Sequence, residues 1–136
     1  MRLSEFVCKN YGKRVDYDRH YGSQCVDLYR QYCADVLGVK QSPPVVGAKD
    51  LIDNPGELNV MRDFPLADYT PGDVLIWGAT DKNPYGHVAI LLANCGKNFI
   101  VFEQDGFKQD GARLALRGRE NLLGCMWQGA RNGNAA

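Results

Sequence analysis

Cys25 is the residue in this chain whose setting most suggests chemistry. It stands where Gly22-Ser23-Gln24 gives way to an amphipathic segment, which places its sulfur at a helix N-terminus. There the unpaired N–H groups and the positive end of the helix dipole stabilise a thiolate. A thiolate that attacks an amide also needs a base that can pass a proton to the leaving group. The chain offers two histidines, His20 and His87. His87 opens the apolar run Gly86-His87-Val88-Ala89-Ile90-Leu91 directly after the turn Asn83-Pro84-Tyr85-Gly86. A strand's first residue can face a cleft while the alternating residues behind it pack the core. An imidazole in that role needs a third group to fix its tautomer. The next apolar run ends Phe102-Glu103-Gln104-Asp105, and Glu103 and Asp105 share a facing by strand periodicity. Taken singly, a helical cysteine is usually core and an acid at a strand end is usually solvated. It is their order that carries the signal: cysteine at a helix start, histidine on a strand, acid on the next strand.

The elements that must position these residues fall into two halves. Leu3, Phe6, Val7 and Asn10-Tyr11 predict a short amphipathic helix ended by Gly12. A second helix is predicted from Ser23–Cys25 to Leu37, with Gly38 just past its end where a left-handed cap is wanted. Gly47 to Asp53 reads as a third short helix, and Asn54 to Pro71, with three prolines, as mostly loop. From Pro71-Gly72 onward five strand-length runs follow: Asp73–Trp77, His87–Ala93, Asn98–Glu103, Ala112–Leu116 and Leu123–Trp127. Their close spacing leaves no room for crossover helices, so a mainly antiparallel sheet of five to six strands is expected, and the class is α+β. Residues 1–130 are read as one domain and residues 131–136 as a frayed tail.

Composition limits the alternatives. At 136 residues the chain is one domain long and can bury about two thirds of its unfolded surface, so it needs no staples. Sixteen basic residues balance sixteen acidic ones, which argues against a nucleic-acid or membrane-surface binder. Val88 to Ala93, the longest apolar run, is too short to cross a bilayer. The start of the chain, interrupted by Glu5 and Lys9, lacks a signal-peptide core, so synthesis in the cytoplasm is expected, and the protein is read as a monomer. Five cysteines with no Cys-x-x-Cys spacing argue against a disulfide scaffold or a zinc knuckle. Cys8, Cys33, Cys95 and Cys125 are therefore read as structural. Trp77 and Trp127 suit the core or rim of the sheet, with Trp77 and Tyr85 as alternatives for contacting a glycan or peptide.

Four segments together resemble the CHAP family of cysteine, histidine-dependent amidohydrolases/peptidases. They are Tyr21-Gly22-Ser23-Gln24-Cys25-Val26-Asp27-Leu28, Pro71-Gly72-Asp73-Val74-Leu75-Ile76-Trp77, Gly86-His87-Val88-Ala89-Ile90-Leu91 and Phe102-Glu103-Gln104-Asp105. The resemblance runs from about Phe6 to Trp127 and implies a papain-like fold acting on bacterial peptidoglycan, as in phage lysins. It implies Cys25 as nucleophile, His87 as base and then acid, Glu103 as the group orienting His87, and Gln24 as oxyanion-hole side chain. Asp105 stands where the family commonly has Asn, so it either supports the imidazole or merely ends the strand. The bond cut is left open between the muramoyl–L-alanine amide and one within the peptide stem or cross-bridge.

Asp16, Asp18 and Asp27 occupy positions one, three and twelve of a loop running into a helix, which are EF-hand offsets for carboxylate ligands. Tyr21 at position six and Asp at position twelve break the rest of that pattern. Calcium-binding lysins of the CHAP family resemble this arrangement, which implies calcium held by these three with carbonyls near His20 and Gly22. The alternative is a solvated acidic turn with Asp27 favourably placed in the first helical turn. Two rival functions are a cytosolic amidase acting on a small peptide conjugate and a non-catalytic calcium-dependent wall-binding module.

Overall fold

The computed structural model describes residues 1–19, 22, 24–62 and 68–129. Helix α1 (Leu3–Asn10) turns its apolar face inward, and Phe6, fully buried, meets Tyr32 and Phe102 edge-on at centroid distances of 5.5 and 6.1 Å. It ends where Gly12 takes a left-handed φ of 79°. Helix α2 (Cys25–Tyr32) follows and continues as a π-wound turn, Cys33–Leu37. Gly38 closes it at φ 62°, the left-handed cap expected. Leu28, Tyr29 and Tyr32 form its buried face, with the Tyr32 hydroxyl donating to the Gly72 carbonyl at 2.8 Å. The third helix, Ala48–Asp53, is 3-10 in winding, and Asp50 caps it by accepting from Gly47 N–H at 3.1 Å.

Six strands complete the fold: β1 (Asn59–Arg62), β2 (Val74–Trp77), β3 (His87–Asn94), β4 (Phe99–Glu103), β5 (Arg113–Arg117) and β6 (Leu122–Trp127). They form one sheet in the order β1-β6-β2-β3-β4-β5, every neighbouring pair antiparallel. Five of them lie where the apolar runs predict, within a residue or so. β1 corrects the expectation of loop over Asn54–Pro71. All four of its residues are exposed, so this edge strand carries no apolar alternation for a sequence reading to detect. The predicted frayed tail, 131–136, lies outside the described residues.

The sheet separates two apolar clusters. Val74, Ile76, Val88, Ile90, Phe102 and Met126 pack against the helices, whereas Leu75, Ala89, Leu91, Phe99, Val101 and Cys125 pack on the other face. Backbone bonds tie the segment after α1 to the sheet edge: Gly12 N–H donates to Ala112 O and Ala112 N–H to Lys13 O, both at 2.8 Å. The N-terminus of α2 is thereby held against the end of the sheet where β3 begins and β4 finishes.

Candidate active site

Cys25 is the first residue of α2, partly exposed, with Gln24 as the N-cap in extended conformation (φ −107°, ψ 167°). The chain leading to it is held by Gln104, whose side chain is fully buried. Its Oε1 accepts from Val15 N–H at 2.7 Å, and its Nε2 donates to the carbonyls of Val15 at 2.7 Å and Gln24 at 2.9 Å. One amide thus clamps both ends of the segment between Val15 and the nucleophile candidate, a role that local sequence patterns do not show.

His87 opens β3 as predicted. Its Nε2 is 2.9 Å from Glu103 Oε1, its side chain is 13% exposed, and Glu103 is fully buried. Cys25 lines the same cavity as His87, near enough to favour the charged form of the imidazole, and with Nε2 on Glu103 the nitrogen left to pair with the sulfur is Nδ1. Cys25, His87 and Glu103 therefore form one chain of contacts. The Trp77 indole packs on the imidazole at 5.9 Å between centroids and donates from Nε1 to Gly118 O at 3.0 Å. At 7% exposure its place is that of a packing wall for the histidine.

Two further groups emerge only in three dimensions. Arg117 grips Glu103 with both Nε (2.6 Å, to Oε1) and Nη2 (2.8 Å, to Oε2), and Arg113 Nη2 approaches Oε2 at 3.4 Å. A carboxylate without solvent would otherwise be driven to the neutral acid. Burial does push the Glu103 carboxyl up, but hydrogen bonds to His87 and Arg117 and their charges overturn this and hold it well below the usual carboxylate range. On His87 burial likewise opposes the charged form. Hydrogen bonds to Cys25 and Glu103 outweigh it and raise the imidazolium to about 9. The ring is thus a protonated donor through neutral pH.

Asp105 lies just past β4, in the turn that follows. Its Oδ1 accepts from the Phe107 and Lys108 N–H groups at 2.8 and 3.3 Å, and Arg113 stands 3.9 Å from Oδ2. Among the described residues no hydrogen bond joins it to the imidazole, so its place is that of a turn cap beside the site.

The turn before His87 is set by Asn83, whose Nδ2 donates to Gly86 O at 2.8 Å and whose Oδ1 accepts from Tyr85 N–H at 3.0 Å. Gly86 has φ 76°, and a Cβ there would lie 2.4 Å from Trp77 O and 2.7 Å from Lys49 Cβ. Gly86→Ala is therefore expected to cost about 1–3 kcal/mol of stability and to displace His87. Denaturant unfolding together with turnover assays checks this, and activity should fall by more than the loss of folded protein explains.

A cleft runs past these groups in two arms of about 840 and 730 Å³. The first holds Cys25 and Gln24, the second Trp77 and Arg117, and His87, Asn83, Gly86, Asp105 and Phe107 line both. The exposed Gln24 side chain lies along the first arm over Gly106, where an added Cβ would be 3.2 Å from Gln24 Cγ.

Upstream, Asp16, Asp18 and Asp27 bring one carboxylate oxygen each within 4.8 Å of one another. Asp27 is buried, and its Oδ2 accepts from Gln24 N–H at 2.9 Å and its Oδ1 from Asp18 N–H at 3.4 Å. Burial, helped by the charges of Asp18 and Asp16 and only partly offset by those backbone bonds, raises its carboxyl to about 6. Asp16 Oδ1 is buried with no hydrogen-bond partner among the described residues. Three converging carboxylates with an orphaned oxygen fit a hard divalent cation. Gly22 is among the described residues, against the Gln109 side chain; His20 lies outside them.

Among the described residues no helix is long and apolar enough to cross a membrane. Comparison with known proteins finds similarity along most of the chain. Endolysin PlyTW of Staphylococcus phage Twort is 36% identical over 92 residues, which is 66% of this chain and 20% of that protein. The D-alanyl-L-alanine endopeptidase of Streptococcus phage B30 is 30% identical over 114 residues, 82% of this chain and 25% of that protein. The chain thus spans a fifth to a quarter of the length of these curated relatives. Among solved structures, wild-type endolysin LysIME-EF1 superposes with a TM-score of 0.73 at 25% identity, covering 90% of this chain and 60% of that one. Ly7917, solved with the hydrolyzing product of MDP, gives 0.65 at 20% identity, covering 93% of this chain and 62% of that one. The α+β architecture is the papain-like one expected. The model of the CHAP domain matches residues 13–105, a span that contains Cys25, His87 and Glu103, and the chain belongs to the CHAP family.

Proposed function

We propose that this chain is a catalytic domain that hydrolyses an amide bond of bacterial peptidoglycan through Cys25, as phage lysins do. The observation carrying this reading is the contact chain Cys25–His87–Glu103 at the junction of the two cleft arms. The names of the relatives, an endolysin and a D-alanyl-L-alanine endopeptidase, support the substrate class.

In this mechanism the Cys25 thiolate attacks the amide carbonyl carbon. The oxyanion is held by the Cys25 backbone N–H and the Gln24 side chain. The His87 imidazolium gives its proton to the amide nitrogen, the C–N bond breaks, and the amine leaves from a thioester on Sγ. Water, deprotonated by the now neutral imidazole, attacks the thioester. The acid departs, and the thiolate–imidazolium pair returns. Glu103 carries no proton in this cycle; it fixes the ring and favours its charged form.

Asp16, Asp18 and Asp27 would hold calcium. The ion would supply charge that balances the three carboxylates and draws the loop before the nucleophile together. It takes no part in bond breaking. Because Asp27 also caps Gln24, an ion there would stiffen the start of α2. Calcium is expected to raise the melting temperature, by several degrees at concentrations well above Kd, and Asp16→Asn should abolish the rise. Thermal melts with calcium and with chelator read this directly. The protein is proposed to act as a monomer, made in the cytoplasm and working on the wall.

The test of function is release of new amino groups, without new reducing ends, from purified peptidoglycan. Release supports the reading. Cleavage of small peptide conjugates with intact wall left untouched would instead favour the small-substrate amidase.

A further inference from the structure

The reaction has a direction along the cleft, and the two arms differ in chemistry along that direction. Attack by the thiolate leaves the acyl part on Sγ beside Gln24, while the amine departs from the side on which the imidazolium donates. The arm holding Cys25 and Gln24 is therefore the acyl side, and the arm reaching past His87 to Trp77 is the amine side. The acyl arm is walled by Pro44, Val45, Val46, Tyr85 and Phe107. The amine arm carries Lys82, Lys97, Arg117 and Arg119 against Asp105 and Glu120.

Arg117 is committed to Glu103, and Asp105 to its turn and Arg113. That leaves Lys82, Lys97 and Arg119, none of which closes an ion pair among the described residues, facing the single acid Glu120. In a chain whose sixteen basic and sixteen acidic residues cancel, this excess is local to one end of the cleft. Cations lining one wall of a groove attract and orient an anionic ligand.

We propose that the amine-side arm binds a carboxylate on the leaving fragment, so that the preferred substrate is a peptide that is anionic on the amine side of the cut bond. The proposal rests on the Cys25–His87 reading, which supplies the direction. These cations are exposed, so their effect falls on KM and weakens with salt.

The test uses synthetic peptides built around the bond cut in purified peptidoglycan. One pair differs by carboxylate against carboxamide on the amine side, and a second pair carries the same change on the acyl side. At low ionic strength the amine-side carboxylate is expected to lower KM about five- to tenfold, with the advantage shrinking in high salt. The acyl-side pair should be used alike. Lys97→Glu combined with Arg119→Glu should reverse the amine-side preference, whereas Lys40→Glu, which lines neither arm, should retain it; thermal melts confirm that both variants fold. Equal KM values for the amine-side pair, or a preference confined to the acyl side, would overturn the proposal while hydrolysis itself continued. Hydrolysis that survived Cys25→Ser would instead refute the mechanism beneath it.

Discussion

Cys25→Ser is expected to lower kcat by at least about 10³-fold while leaving the fold and the melting temperature nearly unchanged. Serine is close in size, and the position is only partly buried at the first residue of α2, so packing has little to lose. What disappears is the nucleophile. A hydroxyl keeps its proton far more tightly than a thiol, so no stable oxyanion forms beside the imidazole, and the ring also loses the Cys25 contribution that favours its charged form in the wild type. This is where a cysteine site with a charged histidine differs from a serine site, in which a neutral histidine takes the proton during attack. Turnover assays with matched circular dichroism separate the lost chemistry from unfolding.

The second large effect is at Glu103 and its arginine. Glu103→Gln removes the anion beside the imidazole, and a fall in kcat of about 10²–10⁴-fold is expected, by analogy with the loss of the orienting acid in triad enzymes. The alkaline limb of kcat/KM, expected near 9 in the wild type, should move down toward the ordinary imidazole range. Arg117→Gln should do the opposite. With one cation gone the imidazolium is favoured, so the alkaline limb moves to higher pH. Because it leaves a fully buried carboxylate with fewer partners, it should also cost about 2–4 kcal/mol of stability. A purely structural arginine would lower stability without moving the pH profile, and pH–rate curves for the two variants distinguish the cases.

The same pair sets a pH window for folding. His87 is raised above its ordinary 6.5, so its contribution is complete below that pH and is lost as pH rises through about 9. Glu103 is lowered from 4.5, so its contribution is present above that value and is lost as pH falls through its depressed folded value. Together they favour the folded state most between about 4.5 and 6.5.

The parts of the site that could be read along the chain were those with local signals. Cys25 follows a cap-like stretch before an amphipathic run, His87 follows a turn, and Glu103 ends an apolar strand. Asp105 does share the side of Glu103, lining the cleft and standing near the same Arg113, but β4 stops at Glu103 and the turn bonds that hold Asp105 are not legible from strand periodicity. Strand β1 was invisible because an exposed edge needs no apolar pattern. Gln104 was invisible, and Arg117 nearly so, for a different reason: their partners are set by how distant segments come together. Gln104 bonds Val15 across 89 positions, and no short-range spacing encodes that. A weaker signal did exist for the arginines. Arg113, Ala115 and Arg117 share one face of β5, and that alternation hints at a cationic side turned toward an acid on the neighbouring strand.

The most direct test of the central claim is mass spectrometry of purified peptidoglycan digested in water enriched in heavy oxygen, by the wild type and by Cys25→Ser. New fragments in amine and carboxylate pairs, with heavy oxygen in the new carboxylate and none formed by the variant, are the predicted result. Unchanged fragments with the wild type, or the same products from Cys25→Ser, would contradict it.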